Sequence, residues 1–248
     1  MDKVLLVTGG SRGIGAATAR LAAQRGWAVA VNYAAQAGAA EALVGEIRAA
    51  GGRAIAVQAD VADEAQVLAM FARVDAELGP LSGLVNNAGV VDVTARLDEM
   101  DMARWRRMFD INVLGSFLCA REAVRRMSTR HGGEGGAIVN VSSAAARLGA
   151  PGQYVDYAAA KAAIDAFTIG LAKEVGGEGI RVNAVRPGLI ETDIHASGGL
   201  PDRVRDLQHQ VPMGRGGRAD EVAQAIVWLL SDAASYTTMA LLDVSGGR

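Results

Sequence analysis

Tyr157 and Lys161 stand four residues apart in Tyr157-Ala158-Ala159-Ala160-Lys161. On a helix that spacing puts the phenol and the ammonium on one face. A free tyrosine has a pKa of about 10 and is a weak acid or base at neutral pH, but a neighbouring cation favours the phenolate and lowers that value. The pair could therefore move a proton. Tyr and Lys meet at this spacing often by chance, so the rest of the chain has to decide whether the pair matters. A second segment with chemical content lies near the start, Thr8-Gly9-Gly10-Ser11-Arg12-Gly13-Ile14-Gly15. Three of its glycines, Gly9, Gly13 and Gly15, let the chain turn tightly, bring its backbone close to a pyrophosphate and pack a helix on a strand, while the helix N-terminus offers aligned N–H donors. The spacing is looser than G-x-G-x-x-G. What lifts it above an ordinary turn is the strand-forming run before it and the helix-forming run from Ala16 after it.

These segments must be held by a scaffold, and the periodicity supplies one. Short β-rich runs at Val4–Val7, Ala28–Asn32, Ala54–Gln58, Gly83–Asn86, Ala137–Val141, Arg181–Val185 and Leu241–Val244 alternate with helical stretches at Ala16–Arg25, Ala37–Ala50, Glu64–Leu78, Ala103–Arg130, Tyr157–Val175 and Asp220–Leu230. Several runs are apolar at consecutive positions, as strands covered on both faces must be. The expected fold class is α/β, a doubly wound Rossmann-type parallel sheet of about seven strands with helices on both faces. Residues 1–248 are expected to form one domain, and the aperiodic segment 192–218, with its clustered Gly and Pro, a substrate lid. Asn86-Asn87-Ala88-Gly89 follows the fourth strand and Ser142-Ser143 closes the fifth, both at carboxyl ends where open α/β sheets place ligands.

The second strand ends Val31-Asn32-Tyr33-Ala34-Ala35, with no acid to hold an adenine ribose 2′-hydroxyl. Asn32 could donate to a 2′-phosphate and Arg12 could add a charge-assisted bond, which favours NADP(H) over NAD(H). The plainer alternative is a solvated Arg12 and use of both cofactors.

With these residues together, the chain resembles the short-chain dehydrogenase/reductase family over essentially its whole length, from Thr8 to Asp243-Val244-Ser245-Gly246-Gly247. The resemblance implies that Thr8, Gly9, Ser11, Arg12, Gly13, Ile14 and Gly15 hold the pyrophosphate, with Asn32 and Tyr33 at the ribose. Asp60-Val61 matches the position that contacts adenine. Asn86-Asn87-Ala88-Gly89 matches the motif that stabilises the sheet and lines the cofactor. Asn112, in Asp110-Ile111-Asn112-Val113, matches the asparagine that holds a water in the proton relay, and Ser143 fits the catalytic serine better than Ser142. Tyr157 would be general acid in reduction and base in oxidation, with Lys161 lowering its pKa and binding the nicotinamide ribose. Pro187, Gly188, Ile190 and Thr192 match the segment at the carboxamide. Two departures stand out: Thr238-Met239 where the family usually has Thr-Gly, and Ala160 and Ala162 beside Lys161 where Ser and Gly are common.

The implied activity is NADP(H)-dependent hydride transfer between nicotinamide and a small-molecule carbonyl or secondary alcohol. The alternatives are an NAD(H)-dependent sugar or alcohol dehydrogenase and a dinucleotide-binding regulator without chemistry, which Asn112, Ser143, Tyr157 and Lys161 argue against. A homotetramer through the two long helices is expected from the resemblance alone. A net charge of -2, with both signs interspersed, gives no footprint for nucleic acid or an anionic membrane. Apolar runs stop short of the roughly 18 residues that span a bilayer, and the chain enters a strand without signal-peptide character, so a cytoplasmic location is expected. The single Cys119 lies in an apolar run and reads as buried packing. His131, His195 and His209 are too scattered for a metal, although His195, Arg96 and Tyr154 could line a pocket.

Overall fold

The computed structural model describes residues 3–248, except for the side chain of His195, so a substrate contact by that histidine lies outside the described residues. Seven strands form one parallel sheet: β1 (Val4–Val7), β2 (Ala28–Tyr33), β3 (Ala54–Gln58), β4 (Leu81–Asn86), β5 (Gly136–Val141), β6 (Ile180–Pro187) and β9 (Leu241–Val244), in the order β3-β2-β1-β4-β5-β6-β9. A two-residue parallel ladder joins β7 (Ile190–Glu191) to β8 (Gly217–Arg218). This is the doubly wound Rossmann-type sheet expected from the alternation of strands and helices.

The period of two explains why β1 is apolar throughout. Leu5 and Val7 point into a core with helices α1 (Gly13–Gln24), α2 (Ala37–Ala49) and α10 (Ala219–Leu230), while Val4 and Leu6 point into the opposite core with α3 (Glu64–Leu78), α5 (Gly115–Met127) and α7 (Val155–Val175). All four β1 side chains are fully buried. Chain order reverses between β1 and β4, and the gap left there by the diverging crossovers is where a ligand can enter.

The long helix expected over Ala103–Arg130 is divided. Helix α4 (Met102–Phe109) passes through a π turn at Asp110–Leu114 before continuing as α5, which ends at Met127. The apolar period runs on through the turn, which hides the wider hydrogen-bond step; such single π turns recur at functional sites. Helix α1 starts at Gly13, ahead of Ala16, and α7 starts at Val155, so Tyr157 lies in its first turn. Segment 192–218 carries the short helices α8 (Ile194–Ser197) and α9 (Arg203–Leu207) and returns to the β7 edge through β8. Between α5 and β5 lies the short helix-turn at Thr129–His131, and α6 (Ala145–Leu148) follows β5.

Candidate active site

A cleft of about 800 Å³ opens over the carboxyl ends of the central strands. One end is built from the turn after β1. Gly9 and Gly13 have left-handed backbones, φ +58 and +54, which glycine adopts freely. A Cβ on Gly9 would lie 2.9 Å from Ala88 Cα, and one on Gly13 would lie 3.3 Å from Thr192 Cγ2. The turn is therefore pressed between the loop after β4 and the start of segment 192–218. Gly9, Ser11, Arg12, Gly13 and Ile14 line the cleft, with Tyr33, Asp60 and Val61 farther along the same end.

Three residues expected at the cofactor are also engaged within the fold, and of these Asn32 lines the cleft. Thr8 is buried, and its Oγ1 accepts the N–H groups of Asn87 and Ala88, each at 3.0 Å, so it ties the β1 turn to the β4 turn. Gly15 lies behind the lining, where a Cβ would come 2.6 Å from Asn87 Nδ2. Asn32 is 2% exposed; its Nδ2 donates to the carbonyls of Val57 and Ala59 at 3.3 and 3.0 Å, and its Oδ1 accepts from Gly9 N–H at 3.1 Å. Both amide hydrogens are thus committed to β3 and its following turn, and the expectation that Asn32 donates to a 2′-phosphate is corrected. Arg12 is exposed, and its side chain makes no hydrogen bond or ion pair among the described residues.

The other end holds Ser143, Tyr157 and Lys161 with Asn87, Ala88 and Gly89. The Ser143 hydroxyl lines the cleft with the Tyr157 phenol, and its Oγ accepts from Ala145 N–H at 3.1 Å. Ser142 is turned the other way, and its hydroxyl donates to the Lys161 carbonyl at 3.1 Å, which ties β5 to α7. Lys161 is 4% exposed, and its Nζ donates to the Val141 carbonyl at 2.8 Å while lying 5.6 Å from the Tyr157 ring centroid. Burial pushes the Tyr157 phenol up to about 12, with the neighbouring Ser143 hydroxyl acting in the opposite direction. Burial pushes the Lys161 ammonium down to about 8, against a smaller upward pull from Asp165. The expected lowering of the Tyr157 pKa by Lys161 is not what this arrangement produces: desolvation dominates both groups.

Asn112 sits in the π turn and is 1% exposed. Its amide clamps the loop after Gly89, accepting from Val90 N–H at 3.2 Å and donating to the Val90 carbonyl at 3.0 Å, with a further bond of 3.0 Å to the Met108 carbonyl. A Cβ on Gly89 would lie 2.7 Å from Asn112 Oδ1 and 3.4 Å from Lys161 Nζ, so these two groups converge on that glycine. Asn86 crosses beneath the site, donating to Asn140 Oδ1 at 3.0 Å, and Asn140 donates to Thr168 Oγ1 at 2.9 Å. Pro187, Gly188, Ile190 and Thr192 close the far wall of the cleft.

Two arginines drew no notice in the sequence. Arg104 reaches from α4 to Asp156, the residue before Tyr157, and Arg203 lines the cleft from the start of α9 with its guanidinium 5.2 Å from the Tyr154 ring. Neither has a local signal: Arg104 is 52 positions from its partner, and Arg203 lies in the aperiodic segment. Tyr154 does line the cleft, whereas Arg96 is exposed and pairs with Asp98 outside it. Cys119 is buried and its thiol is pushed up to about 12 by burial, which makes it inert packing.

The donor set suits a dinucleotide: a side-chain-free backbone cradle at a helix start, an extended cleft, and a hydroxyl, a phenol and an ammonium grouped at its other end. Comparison with known proteins agrees. Residues 9–248 match the family model described as enoyl-(acyl carrier protein) reductase. The chain is 56% identical over 245 residues to the uncharacterized oxidoreductase YgfF of Escherichia coli K12, covering 99% of each. It is 46% identical over 249 residues to the cis-4-hydroxycyclohexanecarboxylate dehydrogenase of Sinomonas cyclohexanicum, covering 99% of this chain and 96% of the other. A crystal structure of a dehydrogenase/reductase from Sinorhizobium meliloti 1021 superposes with a TM-score of 0.91 at 36% identity, over 99% of this chain and 94% of that one. Sequence, sheet order and relatives converge: the chain is an oxidoreductase that belongs to the short-chain dehydrogenase/reductase family.

Proposed function

We propose that this enzyme transfers a hydride between NADP(H) and a carbonyl or secondary alcohol, with Tyr157 giving the proton in reduction and taking it in oxidation. The observation that carries this reading is the gathering of Ser143, Tyr157 and, one helical turn on, buried Lys161 in the same cleft as the glycine turn. Bound nicotinamide supplies or takes up the hydride. Tyr157 Oη passes a proton to the carbonyl oxygen, and the Ser143 hydroxyl donates a hydrogen bond to that oxygen as negative charge develops. Lys161, with its ammonium beside the phenol, holds the nicotinamide ribose. Asn112 keeps the Val90 loop against the site and lies beside Lys161 at the start of a proton path to solvent. Pro187, Gly188, Ile190 and Thr192 hold the carboxamide side, Asp60 and Val61 the adenine side, and segment 192–218 acts as the lid.

The preference for NADP(H) rests on Arg12, exposed at the cleft without a partner, and on the absence of an acid in Tyr33-Ala34-Ala35. The commitment of Asn32 to β3 removes its share of that argument and favours a second reading in which NAD(H) also serves. The named dehydrogenase at 46% identity supports a secondary alcohol on a small molecule as one direction of the reaction. Assembly as a homotetramer through α5 and α7 is supported by Phe117, 44% exposed and stacked at 3.9 Å on Phe167, and by Leu114, 52% exposed. Following nicotinamide absorbance with NADPH and NADH against ketones and aldehydes tests the proposal. Turnover with NADPH, weakened by Arg12→Ala more than turnover with NADH, is expected; equal effects on both would remove the phosphate role of Arg12.

A further inference from the structure

We infer that Arg203 is an anion receptor and that the substrate is a small oxo- or hydroxycarboxylate whose carboxylate pairs with it. This rests on the reading of Tyr157 and Ser143 as the reacting end of the cleft. Arg203 lines that cleft, and its Nη1 is shut off from solvent with no hydrogen-bond partner among the described residues. No carboxylate of the described residues lies within ion-pair distance of it: its neighbour Asp202 pairs with Arg205 at 3.0 Å, and Asp193, on the same cleft wall, is exposed with no ion pair among the described residues. Arg203 is half-buried, and its enclosed Nη1 is a donor the fold leaves unpaired, which a bound carboxylate would satisfy.

The surroundings point the same way. The Tyr154 ring, 5.2 Å from the Arg203 guanidinium, holds it by a cation–π contact and is itself fixed by a 3.4 Å hydrogen bond from its hydroxyl to the Gly198 carbonyl. Tyr154 is the N-cap of α7, three residues before Tyr157, and both tyrosines line the cleft that Arg203 lines. Arg248 and Arg107 line the cleft as well, and only Arg107 has an acid, Asp92 at 3.2 Å. Burial lowers the Arg203 pKa, Tyr154 pulls it back up, and the like charge of Arg248 lowers it further. A planar guanidinium with a free edge matches a carboxylate bidentately.

The test compares 4-oxopentanoate with its methyl ester as substrates, and benzoate with benzamide as unreactive probes, in the wild-type enzyme, Arg203→Gln and Arg203→Lys. Wild type is expected to be shifted in thermal melting by benzoate and not by benzamide, and Arg203→Gln to lose the benzoate shift. The ratio of kcat/KM for acid over ester is expected to fall about 10- to 100-fold in Arg203→Gln, with partial recovery in Arg203→Lys. Equal shifts by benzoate and benzamide, or a benzoate shift that survives Arg203→Gln, overturns the assignment. So does an equal loss for acid and ester, which would mean that Arg203 only shapes the lid. An Arg203-dependent benzoate shift with no NADPH oxidation by any carbonyl would instead sink the proposed reaction and leave the anion site standing.

Discussion

Arg104 on α4 grips Asp156, the residue before Tyr157, through two hydrogen bonds of 2.7 and 3.2 Å, with side chains 9% and 2% exposed. The same guanidinium donates to the Val93 carbonyl at 2.7 Å, and Asp156 also accepts from Tyr157 N–H at 2.9 Å. One buried ion pair thus joins the loop after β4, helix α4 and the first turn of α7. Removing one partner leaves the other charged and buried, which costs about 3–5 kcal/mol. Asp156→Asn is expected to show that loss in denaturant unfolding, and Arg104→Met combined with Asp156→Leu is expected to lose less than Asp156→Asn alone. Equal losses in the single and double variants would show that the pair contributes packing and not charge.

Lys161 should set the alkaline limb of reduction. Its ammonium is pushed down to about 8, so it is charged below that pH and neutral above it, while Tyr157 at about 12 stays protonated across the same range. The account expects kcat/KM for reduction, which reports free-enzyme groups, to be level below pH 8 and to fall above it with a single ionisation. In Lys161→Arg, where the charge persists, that break should vanish from whatever activity remains. A break at the same pH in Lys161→Arg would assign it to another group.

The same shift affects stability with a definite sign. Because the folded pKa of Lys161 lies below its ordinary 10.5, the folded chain binds fewer protons between about 8 and 10.5, and stability contributed through this group rises over that window. Below it, the buried charge is a full liability. The melting temperature of wild type relative to Lys161→Met is expected to climb from pH 7.5 to 10; a difference independent of pH would mean that the ammonium is not desolvated in the fold.

Met239 is a mismatch of residue and backbone. Its φ of 64 places a non-glycine residue in the left-handed region, where its N–H donates to the Val182 carbonyl at 2.7 Å. That conformation costs a side-chain-bearing residue about 1–2 kcal/mol. Met239→Gly is expected to raise the melting temperature by roughly 2–4 °C. A lowered melting temperature would mean that the Met239 side chain, 43% exposed in the single chain, contributes more by packing than its backbone costs.

Much of this architecture was legible because its signals are local. Fully apolar runs such as Val4–Val7 marked doubly covered strands, the glycine turn marked the cleft, and Thr238-Met239 marked a place where a left-handed residue is not glycine. What escaped depends on partners far along the chain. Asn32 read as a phosphate donor because nothing near it shows that Val57 and Ala59 take both its amide hydrogens. The π turn at Asp110–Leu114 was invisible because an unbroken apolar period crosses it. Arg104 and Arg203 are ordinary arginines until tertiary structure buries one against Asp156 and leaves the other without an acid.

The central claim is that Tyr157 moves the proton. Stopped-flow measurement of NADPH oxidation by wild type and Tyr157→Phe, alongside NADPH binding by fluorescence, tests it most directly. The account expects Tyr157→Phe to bind NADPH with affinity close to that of wild type and to lose at least about 100-fold in the rate of carbonyl reduction. A Tyr157→Phe enzyme that binds NADPH and reduces the carbonyl within a few-fold of the wild-type rate would contradict it.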